Sequence, residues 1–202
     1  MFTNDWIDKR IPVLASAIGC FRSEYPCFHF EPTPDIYSLL GSGDDEDLCA
    51  VCSQLVAYLE LPSTPIIRYQ WGITMAPNHA GQVKLGVSDT PISIPFYYAG
   101  KPYLMGAIIA HELAHVFMSE RRIQIERPYE YEPMTDLTAV CMGLGKLILN
   151  GTLPKESEDP HFTHNLGYVP HAPLLYAFQK VNEIKQISQG IAKNNLRAEI
   201  SL

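Results

Sequence analysis

The sequence predicts an α+β fold in which a small β-sheet packs on a buried helix and further helices surround both. Residues 103–118 form a run that would be apolar on nearly every helical face, as expected of a helix in the core. Three stretches rich in β-branched and aromatic residues, 66–71, 81–87 and 92–98, precede that run and are typical of strands. Apolar residues at helical spacing recur before and after this central part, so helices are expected towards both ends.

The length of 202 residues suits one domain, which we place over residues 1–202. Its N-terminal part, 1–60, is expected to be mostly helical, with helices over about 13–21 and 44–59. The sheet and two helices that carry the candidate chemistry fall within 62–150. A loop, a helix over about 173–188 and a polar, mobile tail from 190 onward make up 151–202.

The charge and the N-terminus limit the partners and the location. A formal net charge of -7 argues against nucleic acid or an anionic membrane surface as a partner. The N-terminus lacks the basic start and apolar stretch of a signal peptide, and no segment approaches the ~20 apolar residues of a membrane span. The sequence therefore predicts a cytoplasmic protein without a membrane span.

The cysteines allow two interpretations. Their number is odd in a chain too large to need a disulfide framework: Cys20, Cys27, Cys49, Cys52 and Cys141. Cys52 fits the apolar stripe of the helix predicted at 44–59, where a free cysteine behaves as a small buried hydrophobe. Alternatively, Cys49 and Cys52 join Cys20 and Cys27 in a structural zinc site, although Cys20 and Cys27 are widely spaced for one.

The third predicted strand, 92–98, contains Pro95. Sheets tolerate proline mainly at an edge, because proline has no N–H to donate to a neighbouring strand. This strand or its neighbour is therefore expected to border open space.

The buried run contains the motif His111-Glu112-Leu113-Ala114-His115. Residues four apart lie on one face of a helix, so His111 and His115 present two imidazoles at a spacing that suits one tetrahedral zinc ion. Glu112 would then lie beside the metal, where its carboxylate can accept a proton from a water that the metal activates. The alternative is a core helix whose histidines are merely hydrogen-bonded.

A hydrolytic zinc site takes a third protein ligand, and the next segment offers Glu132 and Asp136. Pro133 suits the first turn of a helix running to about residue 150, so Glu132 would project from its N-terminal end. Glu132 can then reach the metal while Asp136, one turn later, accepts the free N–H of a ligating histidine. The simpler alternative is two acidic residues at a helix N-terminus.

The short connection over 121–131 requires the two helices to form an antiparallel hairpin. Gly143 and Gly145 lie within the second helix, where glycine is destabilising unless it permits close packing. Their side is therefore expected to face the first helix.

These residues resemble the gluzincins, the thermolysin-like metallopeptidases, and most closely the small single-domain minigluzincins. The resemblance covers about residues 83–150. It implies a zincin-like fold with one zinc ion per chain, in which the site residues are His111, His115 and Glu132 as zinc ligands, Glu112 as general base and Asp136 as support for a ligating histidine.

One residue departs from the gluzincin pattern, and the pattern of a related family, the metzincins, is excluded. Tyr131 precedes Glu132 where thermolysin-like enzymes carry Asn. The metzincin pattern is absent, because Met118 and Arg121 stand where that family has Gly and His.

Peptide hydrolysis needs a hydrogen-bond donor for the tetrahedral oxyanion, and gluzincins use a Tyr or His from beyond the second ligand helix. The candidates in this chain are His161, His164, Tyr168 and His171. Any of them is alternatively a solvated loop residue.

We therefore expect a zinc metallopeptidase that acts on a peptide or protein substrate, with Glu112 as general base. The alternative function is a non-catalytic zinc-binding regulatory or interaction protein on the same fold. Glu112 favours the enzyme, since a purely structural site needs no acid beside the metal. Two further arrangements remain open: a late histidine as a fourth zinc ligand, and a C-terminal segment that lies in the cleft as in a zymogen.

Overall fold

A long buried helix lies at the centre of the computed structural model, which describes residues 2–18, 29–62, 65–70, 81–85, 91–153 and 167–202. The fold is α+β, as predicted. The described helices are α1 (Asn4–Ile18), α2 (Pro34–Leu40), α3 (Asp45–Leu59), α4 (Pro102–Glu120), α5 (Tyr131–Ala139), α6 (Gly145–Thr152), α7 (His171–Lys185) and α8 (Gln189–Lys193). The described strands are β1 (Ile67–Gln70), β2 (Gln82–Val83) and β3 (Ile92–Pro95).

Helix α4 is the predicted core helix. Pro102 occupies its first turn, where the fixed φ of proline suits a helix start and its missing N–H leaves no bond unmade. From Met105 to Met118 nearly every residue is buried, and α4 packs against α2, α5 and α6. The helix ends at Glu120 with Arg121 as its C-terminal cap, and Arg122 then adopts a left-handed φ of 52° that turns the chain back.

The described residues of the N-terminal part, 1–60, are mostly helical as predicted, but α1 begins earlier than expected and the short helix α2 was not predicted. Helix α1 begins at Asn4 rather than near residue 13, because Ile7, Ile11 and Leu14 form a buried stripe that extends past Pro12. Pro12 itself lies on the exposed side of the helix.

The core-helix interpretation of Cys52 is confirmed by α3. The side chain of Asp44 caps this helix by accepting a hydrogen bond from the Glu46 backbone N–H. Cys52 is fully buried, and burial raises the pKa of its thiol to about 12. Cys20 and Cys27 lie outside the described residues, so the alternative zinc site stays a hypothesis.

The described sheet has the order β1-β3-β2. Strand β3 runs parallel to β1, with Ile67 opposite Ile92, and antiparallel to β2, with Val83 opposite Ile92. Of the two predicted possibilities, β3 is therefore not the edge of the described sheet, and its two neighbours are the outer strands. Pro95 is accommodated because it is the last residue of β3, immediately before a 3₁₀ turn over Phe96–Tyr98.

Helices α4, α5 and α6 form the predicted antiparallel hairpin. His115 lies beside Thr135 near the turn, whereas Gly106 lies against Leu147 at the far end. The second arm is not one continuous helix, since a π-helical segment, Val140–Leu144, separates α5 from α6. Gly143 interrupts the helix with a φ of 96°, and its carbonyl accepts a hydrogen bond from the Phe30 backbone N–H.

The glycines that permit close helix contact differ from those predicted. A side chain at Gly145 would meet Phe178 of α7 at 2.6 Å, so Gly145 faces α7 instead of α4. Between α4 and α6 the close approach is at Gly151, where a Cβ atom would overlap that of Ala107.

The C-terminal tail packs on the body instead of being mobile. Ala192 and Ile200 are buried, and the backbone N–H of Arg197 donates to Asn150 Oδ1 at 2.9 Å. Helix α7, which precedes the tail, begins two residues before the predicted start and ends at Lys185.

Candidate metal centre

The two histidines of α4 and the glutamate of α5 converge on one point. The Nε2 atoms of His111 and His115 are 3.0 Å apart. Oε2 of Glu132 lies 3.2 Å from each of these nitrogens. Among the described residues these three form the one group of His, Cys, Asp or Glu side chains arranged to hold a metal ion.

This triangle fits a small cation. Tetrahedral zinc with ligands at ~2.0–2.1 Å places neighbouring ligand atoms about 3.3 Å apart, close to the separations seen here. Two imidazole nitrogens and a carboxylate oxygen are also the donor set that zinc accepts at sites that keep one position open. The predicted ligands therefore meet in an arrangement compatible with a zinc site.

Hydrogen bonds on the far side of each imidazole orient both rings. His111 Nδ1 lies 2.8 Å from Asp136 Oδ1, as predicted from the spacing of Glu132 and Asp136. His115 Nδ1 lies 3.4 Å from Oγ1 of Thr135, whose hydroxyl donates to the Tyr131 carbonyl. Oγ1 is thus free to accept from His115 Nδ1. With both Nδ1 atoms engaged in this way, each Nε2 is directed to the shared point.

The pKa values of the ligand side chains reflect this close contact. Burial lowers the pKa of His111, but its hydrogen bonds to Asp136 and Glu132 outweigh burial and raise the pKa to about 10. Burial likewise raises the pKa of Glu132, while hydrogen bonds from the two histidines lower it by more, so the net pKa is well below its usual range. Without a metal, the protonated imidazole of His111 and the carboxylate of Glu132 therefore attract one another, and zinc would have to displace the proton on Nε2 in order to bind there.

Glu112 lies beside this triangle without belonging to it. Its side chain is buried, and burial raises the pKa of its carboxyl despite the two adjacent histidines. The backbone of Val83 in β2 forms a hydrogen bond with this carboxylate. A side chain at Gly81, just before β2, would meet Glu112 Oε1 at 2.6 Å. The end of β2 therefore lies directly against the candidate general base.

Two tyrosines flank the histidines. The ring of Tyr168 stacks on that of His111, with centroids 5.7 Å apart and an interplanar angle of 26°. The ring of Tyr131 stacks on that of His115, with centroids 5.4 Å apart and an angle of 20°. Tyr131, which occupies the position where the motif departs from thermolysin-like enzymes, therefore supports a ligand instead of pointing away.

Of the oxyanion candidates, the structure describes Tyr168 and His171. Burial, then the nearby carboxylates of Glu132, Asp136 and Glu112, raise the pKa of Tyr168 to about 12, so its hydroxyl remains a donor at neutral pH. His171 instead hydrogen-bonds Thr152 at 3.1 Å. His161 and His164 lie outside the described residues.

Asp136 has a second set of partners that the sequence did not predict. Its Oδ2 accepts hydrogen bonds from the backbone N–H groups of Tyr168 at 2.7 Å and Val169 at 2.8 Å. The carboxylate that orients His111 therefore also holds the segment that carries Tyr168. No local pattern signals this contact, because the partners are backbone groups more than thirty residues away.

Comparison of the chain with protein-family models, curated proteins and solved structures finds no match. The resemblance to gluzincins therefore rests on the motif and on this geometry. None of the helices that the structure describes combines the length and apolar character needed to cross a bilayer.

Proposed function

We propose that this protein is a zinc-dependent metallopeptidase of the gluzincin type. The observation that carries the proposal is Glu112, a buried carboxylate held beside the His111, His115 and Glu132 triangle without taking part in it. Zinc bound by that triangle would polarise a peptide carbonyl and lower the pKa of water at the open position. A site that only stabilises the fold has no use for a buried acid next to it.

The protein side chains supply the proton transfers. Glu112 accepts a proton from the attacking water and delivers it to the leaving nitrogen. Because Glu112 is buried beside the triangle, its carboxylate is placed to take the proton from the water and to return it to the leaving nitrogen. The hydroxyl of Tyr168, next to His111, donates a hydrogen bond to the developing oxyanion.

The edge of β2 offers a position for an extended peptide or protein substrate. In the described sheet β2 pairs with β3 on one side only, and its residue Val83 contacts Glu112. A peptide that adds to the other side of β2 by main-chain hydrogen bonds would pass close to Glu112.

The test compares the wild type with Glu112→Gln. Wild-type protein should carry about one zinc per chain by elemental analysis and should cleave a peptide library, with products identified by mass spectrometry. Glu112→Gln keeps the shape of the side chain and removes the base, so it should retain zinc and lose roughly 10²–10⁴-fold in cleavage rate. Glu120→Gln, an exposed change at the end of the same helix, is the matched control and should cleave as the wild type does.

Two results would contradict the proposal. Wild-type protein that neither contains zinc nor takes it up would remove the metal site. Zinc-loaded wild type without cleavage, or with cleavage equal to that of Glu112→Gln, would favour the non-catalytic zinc protein.

A further inference from the structure

We propose that Asp136 couples metal binding to the position of Tyr168, so that bound metal stabilises the segment 167–170 against the site and the docked segment in turn strengthens metal binding. The inference rests on the metal site of the proposed function and not on peptide hydrolysis. Asp136 thereby positions both the His111 ring and the Tyr168 backbone.

Three contacts form a closed triangle. Asp136 Oδ1 lies 2.8 Å from Nδ1 of His111, and Asp136 Oδ2 lies 2.7 Å from the backbone nitrogen of Tyr168. The ring of Tyr168 in turn stacks on the ring of His111. Each member therefore touches both of the others, and moving one changes the surroundings of the other two.

Burial makes these contacts difficult to replace. Asp136 is fully buried, so water cannot substitute for a lost partner of its carboxylate. The carboxylate receives donors from His111, Tyr168 and Val169, and hydrogen bonds to a charged group are stronger than those between neutral groups. If the segment moves away, the carboxylate loses two of these donors at once, and the support of His111 changes with it.

The segment is shaped to make this contact. Gly167 has a φ of 89°, and a side chain there would come within 3.3 Å of Asp136 Oδ2. Val169, two residues later, is fully buried and belongs to the hydrophobic core. The segment thus combines a core anchor with a glycine that permits the backbone to approach the carboxylate.

Thermodynamic linkage then requires the effect to be reciprocal. If the docked segment increases zinc affinity by some factor, bound zinc stabilises docking of the segment by the same factor. Zinc bound to His111 would fix the His111 ring and, through it, the Asp136 carboxylate. These are the two groups that Tyr168 contacts. The hydroxyl of Tyr168 is therefore held more firmly in the metal-loaded protein than in the metal-free protein.

The first test uses two glycines that both have a positive φ. Gly167→Ala introduces both strain at positive φ and a contact with Asp136, whereas Gly100→Ala introduces strain alone, because Gly100 has a φ of 75° and its added Cβ would have no neighbour within 4 Å. Chelator competition should show about 10-fold weaker zinc binding for Gly167→Ala, in line with the loss of an outer hydrogen-bond partner of a ligand. Gly100→Ala should bind zinc as the wild type does.

The second test needs no variant. Hydrogen exchange of the Tyr168 and Val169 amides should slow by at least about 10-fold when zinc is added to metal-free wild type, if docking follows the same factor. The amides of α3, far from the site in the chain, should change much less.

The outcomes separate this inference from the proposed function. Wild type that binds zinc and cleaves peptide, but whose Tyr168 and Val169 amides exchange equally with and without zinc, would overturn the coupling alone. Equal zinc affinity in Gly167→Ala and wild type, or equal weakening in Gly100→Ala, would also overturn it. Wild type that binds no zinc would overturn both.

Discussion

At the scale of single residues, the environment of Glu112 determines what the motif can do. The carboxyl is enclosed by α4, by the Val83 backbone and by Gly81, and this burial raises its pKa. A surface glutamate in the same motif would lack that shift. The pKa of the candidate base therefore depends on the surrounding burial as well as on the motif, and the hydrogen bond from the Val83 backbone partly offsets the effect of burial.

Because Gly81 has no side chain, Glu112 can lie close to its backbone, and adding a methyl group at position 81 should displace the Glu112 carboxylate. In Gly81→Ala the new Cβ would meet Glu112 Oε1 at 2.6 Å and Ile108 Cγ2 at 2.8 Å, so the carboxylate must shift. We expect peptidase activity to fall roughly 10²-fold, the scale expected when a catalytic group is misplaced by about an ångström. Zinc content should be unchanged, because the atoms nearest to the new Cβ belong to Glu112 and Ile108 and not to the three ligand side chains.

The matched control is Gly190→Ala, where a Cβ would meet no atom within 4 Å. Activity and zinc content are measured for both variants on the same peptide library. Gly81→Ala with wild-type activity would show that Glu112 tolerates displacement.

The candidate ligand side chains could be grouped from the sequence, and the residues around them could not. Spacing alone places His111 and His115 on one face of a helix, and Glu132 and Asp136 on one face of the next. The contacts of Thr135 and Tyr168 depend on how two helices and a distant segment pack, which no local period encodes. One indication in the sequence places Thr135 near the site, because Thr135 follows Glu132 by three residues and is therefore on the same side of α5.

At the scale of elements, the second ligand helix shows where periodicity is insufficient. Apolar residues continue through 137–149, which favours a single helix, yet the backbone unwinds at Gly143. At this point the Gly143 carbonyl accepts a hydrogen bond from the Phe30 backbone N–H, and this tertiary contact outweighs the local preference for a continuous helix. The sequence predicted the three strands but not their order in the sheet. A proline that ends a central strand, as Pro95 ends β3, cannot be distinguished in the sequence from a proline in an edge strand.

The packing of α6 on α7 gives a prediction about stability. In Gly145→Ala the added Cβ would meet Phe178 Cδ2 at 2.6 Å, and Phe178 is fully buried. Overpacking of a core typically lowers the free energy of unfolding by ~1–3 kcal/mol, which we expect to exceed the gain in helix propensity of about 1 kcal/mol. Urea denaturation of the variant and of Gly190→Ala measures the difference. A variant at least as stable as the wild type would show that α7 shifts to accommodate the methyl group.

At the scale of the whole molecule, the C-terminal tail completes the body of the protein. Lys146 and Asn150 are fully buried on α6, and the tail supplies part of their hydrogen bonding. Lys146 Nζ donates to the carbonyl of Ile191 at 2.8 Å as well as to Glu31, and Asn150 Nδ2 donates to the carbonyl of Asn195 at 2.8 Å. The polar sequence of the tail suggested mobility, whereas backbone groups of the tail are partners of buried polar side chains.

These contacts bear on the alternative in which a C-terminal segment occupies the cleft. The hydrogen bonds described for 189–202 join the tail to α6 and Glu31, and the segment next to the metal triangle is 167–170. Removing the tail is therefore expected to weaken the fold instead of opening the site.

A chain that ends at Ser188 tests this directly. It would remove the Arg197 N–H from Asn150 Oδ1 and the Ile191 carbonyl from Lys146 Nζ, which keeps its bond to Glu31, and each lost hydrogen bond contributes about 0.5–1.5 kcal/mol. Together with the lost burial of Ala192 and Ile200, we expect the free energy of unfolding in urea to fall by roughly 3 kcal/mol or more. Peptidase activity per folded molecule should not rise, because the hydrogen bonds of the tail are to α6 and Glu31 and not to His111, His115 or Glu132. A matched chain that lacks only residues 201–202 should unfold nearly as the full chain does, since Ser201 is exposed and Leu202 half-buried. A truncated protein of undiminished stability whose activity increases would contradict this account and establish the tail as an inhibitory segment.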